Sequence, residues 1–478
     1  MLSKNFRQRD FYMRTLGVLI ILIMVLFGNS CKWFKSNKNK GVPHAQEDPL
    51  SRKQPGLDTV SNRWGSWNIL LKPGTNSAAA SAAILAFENN MIDKFNLANP
   101  SLSGFTIHFD IFYCPCDSLL FNIGATLLDG NGESAVTPPP PPPSGGSGDA
   151  SLVSFNHAMV NTDDTAEHEP PPYSTVGVKL DLSVPGKIMR TDTQILAVID
   201  TGIDTGYFSS EIRKLIWTAP EGPTIFNTVY SNSADLRDDH IARHGSVVTA
   251  LALRTLKEQE TQLDLTNDLP RIMVLKALDK KKRGSTFTVS CALSYAIQHK
   301  AALVNASLGY YETSGLVDSV FRHYVLLCAN PEKPITIFAA AGNLPGNRAR
   351  DEICRPGTDN LLTSSRMFYP ACFSAAFNHV FAVTSLRDSH TSCFYQNWSP
   401  EFVTLGVLQK NENSDTCCRF AVPFAIAEGT SFATPVASGM AMYKILKGQT
   451  AQDFLRNIAS ETGSPLATKG GRYTAVTH

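Results

Sequence analysis

At 478 residues the chain is too long for one small core, and two or three folded units are expected. A formal net charge of +1, with 18% charged and 43% hydrophobic residues, is ordinary globular composition. It carries no global bias toward nucleic acid, so no nucleic-acid partner is expected.

The first 31 residues stand apart. Lys4, Arg7, Arg9 and Arg14 precede the apolar run LGVLIILIMVLF at 16–27, which has the length of a signal-peptide core and is short for a bilayer span. Gly28, Asn29 and Ser30 then lead into Cys31. The segment resembles a bacterial lipoprotein signal, in which the cysteine becomes the lipid-carrying N-terminus, although Gly28 stands where that pattern prefers leucine. The resemblance implies export to the cell envelope and a membrane anchor at Cys31. An uncleaved signal anchor and an ordinary secretory peptide are the alternatives, and each of them also exports the chain.

Export permits disulfides. The ten cysteines are Cys31, Cys114, Cys116, Cys291, Cys328, Cys354, Cys372, Cys393, Cys417 and Cys418. Cys291 and Cys328 fall in apolar helical patterns and read as buried free thiols. Cys354, Cys372, Cys393, Cys417 and Cys418 lie in loop-like sequence that suits bridges.

Residues 32–60 are polar and read as a tether. A small α+β unit over 61–130 follows, with WNILLKPG as a strand, AAASAAILAFENNMIDKF as a helix and FTIHFDIFY as a second strand. CPCD at 114–117 is a weak metal motif, and a local redox or disulfide role suits it better. Residues 131–174 read as a linker, because TPPPPPPSGGSGD joins six prolines to a Gly/Ser hinge.

From residue 175 to 462 apolar strands alternate with amphipathic helices, and 463–478 remains as a tail. Strands are expected at 195–200, 271–278, 302–309, 335–342 and 380–386, with helices at 245–257, 287–299 and 315–329. This pattern predicts an α/β fold with a doubly wound, mostly parallel sheet covered on both faces. Such a sheet places its site beyond the carboxyl ends of the strands.

The strand ends carry the chemistry. ILAVIDTGID delivers Asp200 to the end of the first strand, and Gly202 turns the chain. In DDHIARHGSVVTALAL, His244 stands where an apolar helix begins, with His240 as the weaker candidate. ITIFAAAGN ends in Asn343, a neutral amide donor able to bind a developing oxyanion. EGTSFATP supplies Ser431 at a helix start, where unpaired N–H groups and the positive end of the helix dipole favour negative charge.

Together these fragments resemble the subtilisin-like serine peptidase family. The matching residues are D-T-G at Asp200, H-G at His244, A-A-G-N at Asn343 and G-T-S-x-A-x-P at 429–435, in the order Asp, His, Ser. The resemblance implies Ser431 as nucleophile, His244 as general base and then acid, and Asp200 as the carboxylate that orients the imidazole. Asn343 and the Ser431 N–H would form the oxyanion hole. NASLG resembles the edge that pairs with extended substrate and walls the pocket for the residue before the cleaved bond, which implicates Ser307, Leu308 and Gly309; the facing edge is expected at Gly284 and Ser285. Three departures stand out: Ser246 follows H-G, Phe432 follows the serine, and Tyr310 and Tyr311 follow S-L-G.

Protein or peptide substrates are the implied partners. The chemistry needs no cofactor, and a structural calcium ion, common among relatives, leaves no compact signature. The unit at 61–130 is prodomain-like by its position, with an accessory or docking module as the alternative. DKKKRG at 279–284, carrying Lys280, Lys281, Lys282 and Arg283, reads as a solvated loop or as a selector for acidic residues. A catalytically silent scaffold of the same fold is the alternative function, and the intact Asp200, His244, Asn343 and Ser431 count against it.

Overall fold

A computed structural model describes residues 65–99, 105–114, 116–129, 150–160, 194–217, 235–260, 269–312, 318–343, 360–388, 391–393, 396–410, 419–422, 425–460 and 467–477. The signal segment with Cys31, the tether and the polyproline stretch lie outside them. No helix among the described residues is long and apolar enough to cross a membrane.

Near the N-terminus, strands β1 (Gly65–Leu71), β2 (Thr106–Cys114), β3 (Asp117–Leu128) and β4 (Ala150–Phe155) form an antiparallel sheet in the order β2-β3-β1-β4. Helix α1 (Ser77–Ala98) starts where the Asn76 side chain accepts from the Ala79 N–H. It buries Ala83, Phe87, Met91 and Phe95 against Trp67, Ile69 and Leu71. Strand alternation turns Leu70, Cys114 and Leu120 the other way, into the core of the large layer described next.

The linker expected over 131–174 therefore contains structure. β4 returns after the Pro-rich stretch to pair with β1, and a short strand β5 (Ala158–Val160) follows it. Six residues, ASLVSF, carry too little pattern to announce a strand; their partner in β1 defines them.

The large layer is an eight-stranded sheet. Its strands are β6 (Ile195–Asp200), β7 (Arg271–Lys276), β9 (Leu303–Ala306), β11 (Thr336–Ala340), β13 (Val380–Leu386), β14 (Leu405–Lys410), β17 (Ala459–Ser460) and β18 (Arg472–Thr477). The order is β17-β18-β14-β13-β11-β9-β6-β7, and every pairing is parallel except β17 with β18. Residues assigned to a C-terminal tail thus form a strand, β18, within this sheet. Short strands β8 (Arg283–Ser285), β10 (Tyr310–Glu312) and β12 (Met367–Tyr369), and the hairpin β15 (Arg419–Val422) with β16 (Ala425–Glu428), lie outside it.

Both faces are covered. On one, Leu196, Val198, Val274 and Phe338 pack against α2 (His244–Glu260) and α5 (Thr430–Leu446). On the other, Ala197, Ile199, Met273 and Val304 pack against α3 (Thr286–Gln298) and α4 (Ser319–Leu327). This continuous burial explains why the strands read as unbroken apolar runs. After β7 the chain returns to the other side of β6 at β9, so the sheet's switch point lies between β6 and β9, where Asp200 and Ser307 emerge.

Candidate active site

Asp200 ends β6 and His244 opens α2. Gly202, at φ 110°, turns the chain, and a Cβ on Gly245 would lie 2.3 Å from the Gly202 carbonyl oxygen. Two glycines therefore let the helix start directly against the turn. The result is a 2.7 Å hydrogen bond between His244 Nδ1 and Asp200 Oδ1, with both side chains 1% exposed. The Thr201 N–H donates to the same oxygen at 2.7 Å.

A buried network behind this pair was not anticipated from the sequence. Asp238 accepts from Thr201 Oγ1 at 2.9 Å, and from the Ser246 N–H and hydroxyl at 2.9 and 2.8 Å. Burial raises its carboxyl above the ordinary range. Lys276, 1% exposed at the end of β7, donates to the carbonyls of Thr201 and Arg237 at 2.6 and 2.8 Å and to Asp239 at 2.5 Å. Together Asp238 and Lys276 tie down the loop on which Asp200 and His244 depend. A lysine closing the apolar strand RIMVLK was the available signal. Ser246, in the place usual for threonine, also accepts from the Asp204 N–H at 2.8 Å. His240 faces its own loop, its Nδ1 accepting from the Ala242 N–H at 3.2 Å, and burial pushes its imidazole down to about 2. It is held neutral and takes no part in the pair.

Asn343 follows β11 beyond Gly342, which adopts φ 92°. The Thr430 N–H donates to Asn343 Oδ1 at 3.2 Å, and Thr430 Oγ1 accepts from the Gly342 N–H at 3.1 Å. Phe432 sets its ring 4.8 Å from the His244 ring. Ser431 thus lies between one residue bound to Asn343 and another packed on His244. With Asn343 Oδ1 accepting from Thr430, Nδ2 is the donor end of its amide.

Pro435 sits inside α5 and cannot donate to the Ser431 carbonyl four residues back. The Ser307 hydroxyl donates to that carbonyl instead, at 2.7 Å, while accepting from Asn305 Nδ2 at 2.9 Å. The proline frees an acceptor by which the sheet holds the serine. Replacing Ser307 with alanine is expected to remove the hydrogen bond by which the sheet holds this buried carbonyl, at about 1–3 kcal/mol in unfolding free energy. A roughly tenfold or larger fall in kcat at nearly constant KM should accompany it, as denaturant titration and steady-state kinetics would read. Farther along, a Cβ on Gly439 would meet the Ala252 carbonyl at 2.4 Å, so α5 and α2 approach nearly backbone to backbone.

The expected substrate edges lie near one another, and part of the chain itself occupies one. β5 pairs antiparallel with β8, setting Ala158 opposite Ser285 and Met159 opposite Gly284. Met159 is fully buried, and the His157 ring stacks on Tyr310 at 4.7 Å. Ser285 offers this edge its backbone only, because its hydroxyl caps α3 by accepting from the Thr288 N–H at 3.3 Å. Leu308 is fully buried. The Phe368 ring lies 2.4 Å from a Cβ built on Gly309 and 2.9 Å from one built on Gly342, so it fills the space between the NASLG edge and Asn343. Tyr311 donates its hydroxyl to the Asn343 carbonyl at 2.9 Å and accepts from Asn397 Nδ2 at 2.7 Å, which props the loop carrying Asn343. Arg283 is paired with Asp279 at 3.0 Å, which reduces what the basic run offers an acidic substrate.

Cys291, Cys328, Cys114, Cys116 and Cys372 are free thiols, whereas Cys393 is disulfide-bonded. Among the described residues no group of three or more His, Cys, Asp or Glu side chains could hold a metal ion.

Residues 191–468 match the model of the subtilase family, Peptidase_S8. The chain is 23% identical over 272 residues to Subtilisin-like protease 1 of Plasmodium vivax, an alignment covering 53% of this chain and 40% of that protein. It therefore spans well under half the length of this curated relative. Among solved structures, a cold adapted subtilisin-like serine proteinase aligns with TM-score 0.41 and 17% identity, over 58% of this chain and 87% of that one. The protease domain of PatA aligns with TM-score 0.39 and 18% identity, over 59% of this chain and 91% of that one. With its family match spanning more than half its length, the chain belongs to the subtilase family.

Proposed function

We propose that the chain is the precursor of an exported serine endopeptidase acting through Asp200, His244 and Ser431. The observation that carries this reading is the buried 2.7 Å Asp200–His244 pair, set beside a helix start that bears Ser431 and contacts Asn343. His244 Nε2 takes the Ser431 proton as Oγ attacks the peptide carbonyl, and Asp200 stabilises the imidazolium that forms. Asn343 Nδ2 and the Ser431 N–H receive the oxyanion. The imidazolium protonates the leaving amine, and water then hydrolyses the acyl-enzyme by the same route. A fluorophosphonate probe tests the assignment: labelling at Ser431 is expected after the N-terminal unit is removed. An unlabelled, correctly folded protein would instead favour the silent scaffold.

In this reading the N-terminal unit is a prodomain that lays its own strand β5 on the β8 edge, as an extended substrate would lie. Cleavage is expected in the stretch following Val160. The buried Phe368 ring, between Gly309 and Gly342, favours small residues before the cleaved bond. Phe368→Ala is expected to raise kcat/KM for peptides bulky at that position about tenfold or more relative to those with alanine there. Profiling a peptide library, with a melting curve to confirm folding, would check this.

Export and anchoring rest on the sequence around Cys31, and the proposed location is the bacterial cell envelope. Mass spectrometry of the unprocessed Ser431→Ala protein should find a lipid on Cys31, and an unmodified N-terminus elsewhere in that protein would refute the anchor. The proposed chemistry uses no cofactor, and a calcium ion would serve stability alone.

A further inference from the structure

The tip of the β2–β3 hairpin carries Cys114 and Cys116 and rests on α3 beside Cys291. Cys114 Sγ lies 3.4 Å from Cys116 Sγ, and Cys116 Sγ donates to the Cys291 carbonyl at 3.2 Å. Cys114 and Cys291 are also close enough for each to shift the other's ionisation. Cys114 and Cys291 are buried and Cys116 is half-buried. Three cysteines thus gather at one place, although Cys116 and Cys291 are 175 residues apart in the chain.

We propose that this cluster is a disulfide-forming site, in which Cys291 pairs with one of the hairpin thiols and fastens the N-terminal unit to the large layer. The described polar contacts across the same face are noncovalent. Asn68 Nδ2 donates to Thr286 Oγ1 at 2.9 Å, Ser154 donates to Asp318 at 2.5 Å, and Tyr324 donates to Asp117 at 2.6 Å. Such contacts let the unit dissociate once the chain between the two parts is cut, whereas a disulfide would not. Cys116 Sγ already touches the Cys291 backbone, and the bond forms when a hairpin sulfur comes within about 2.05 Å of Cys291 Sγ. That Cys393 is disulfide-bonded places such bonds in this protein's repertoire.

The oxidant is a small-molecule or protein disulfide, RSSR. Cys116, the most accessible thiol, attacks one of its sulfurs as thiolate and expels the first RS⁻. A second cluster thiolate then attacks the Cys116 sulfur and expels the second RS⁻. Where Cys114 resolves first, Cys291 completes the exchange by attacking the hairpin bond and returning one hairpin thiol. Overall two thiols are oxidised by two electrons, and the oxidant leaves as two RSH carrying the two protons. Burial pushes the Cys291 thiol up to about 11 and raises Cys114 as well, so the docked cluster holds little thiolate at neutral pH. Exchange is consequently slow when docked, and a bond once formed there is protected from reduction.

The cross-link stands apart from the proposed peptidase function; only its inhibitory consequence rests on that reading. Full-length Ser431→Ala protein, unable to process itself, would be incubated with glutathione disulfide, alkylated, digested and examined by mass spectrometry without reduction. The expected product joins the CPCD peptide to the Cys291 peptide, and it disappears with dithiothreitol and in Cys291→Ser. Finding only a Cys114–Cys116 bond, or three alkylated thiols, would overturn the proposal. In wild type cut between residues 161 and 193, the oxidised form should stay at least tenfold less active than the reduced form. Equal activity with the cross-link present would refute the inhibitory role of the N-terminal unit and leave the cross-link standing.

Discussion

Ser431→Ala is expected to lower peptide hydrolysis by roughly 10⁵-fold or more while leaving the fold intact. Ser431 is fully buried at the second position of α5, and its carbonyl is held by Ser307 whatever side chain it bears. Removing one oxygen takes away the proposed attacking atom, and alanine is an excellent residue in a helix. Circular dichroism and a cooperative melting transition should therefore show a folded variant. The variant should also retain its N-terminal unit on a denaturing gel, whereas wild type sheds it. Processing that continues unchanged in purified variant protein would show that another peptidase makes the cut.

Asp200→Asn is expected to lower kcat by roughly 10³–10⁴-fold with little change in KM. Asp200 Oδ1 receives both His244 Nδ1 and the Thr201 N–H, so the geometry can survive the substitution. The charge does not survive. A neutral amide no longer stabilises the imidazolium formed when the serine proton moves, and its NH2 can favour the wrong tautomer. The peptide edges at β8 and Ser307–Gly309 are untouched, which is why the loss should fall on kcat. A comparable rise in KM would place Asp200 in substrate binding instead.

Elements set by adjacent residues are legible in the sequence, whereas those set by distant partners are not. β6 spans Ile195–Asp200 as its apolar run indicates, and α2 opens at His244, where the H-G step and the apolar stripe behind it place a helix start. β4 was hidden because ASLVSF follows a polyproline stretch and is defined by pairing with β1, some 80 residues earlier in the chain. β18 was read as a tail for the same reason, since its partner β14 lies far off in sequence.

Ser307 shows the limit within a single motif. NASLG suggested a substrate edge, but only the folded chain reveals that its hydroxyl takes the carbonyl which Pro435 leaves free. Phe368 and Tyr311 likewise acquire meaning from what they face. One fills the space beside Gly309 and Gly342, and the other props Asn343.

The sequence by itself determined the alternating α/β pattern and the four motif residues, because strand burial, helix starts and glycine turns are written in adjacent residues. Tertiary structure alone decided which side chains support those four, that β5 lies on the β8 edge, and that the hairpin thiols reach Cys291. Each of these joins residues far apart in the chain, and the energy that fixes such contacts comes from packing and buried hydrogen bonds that arise only once the layers have met.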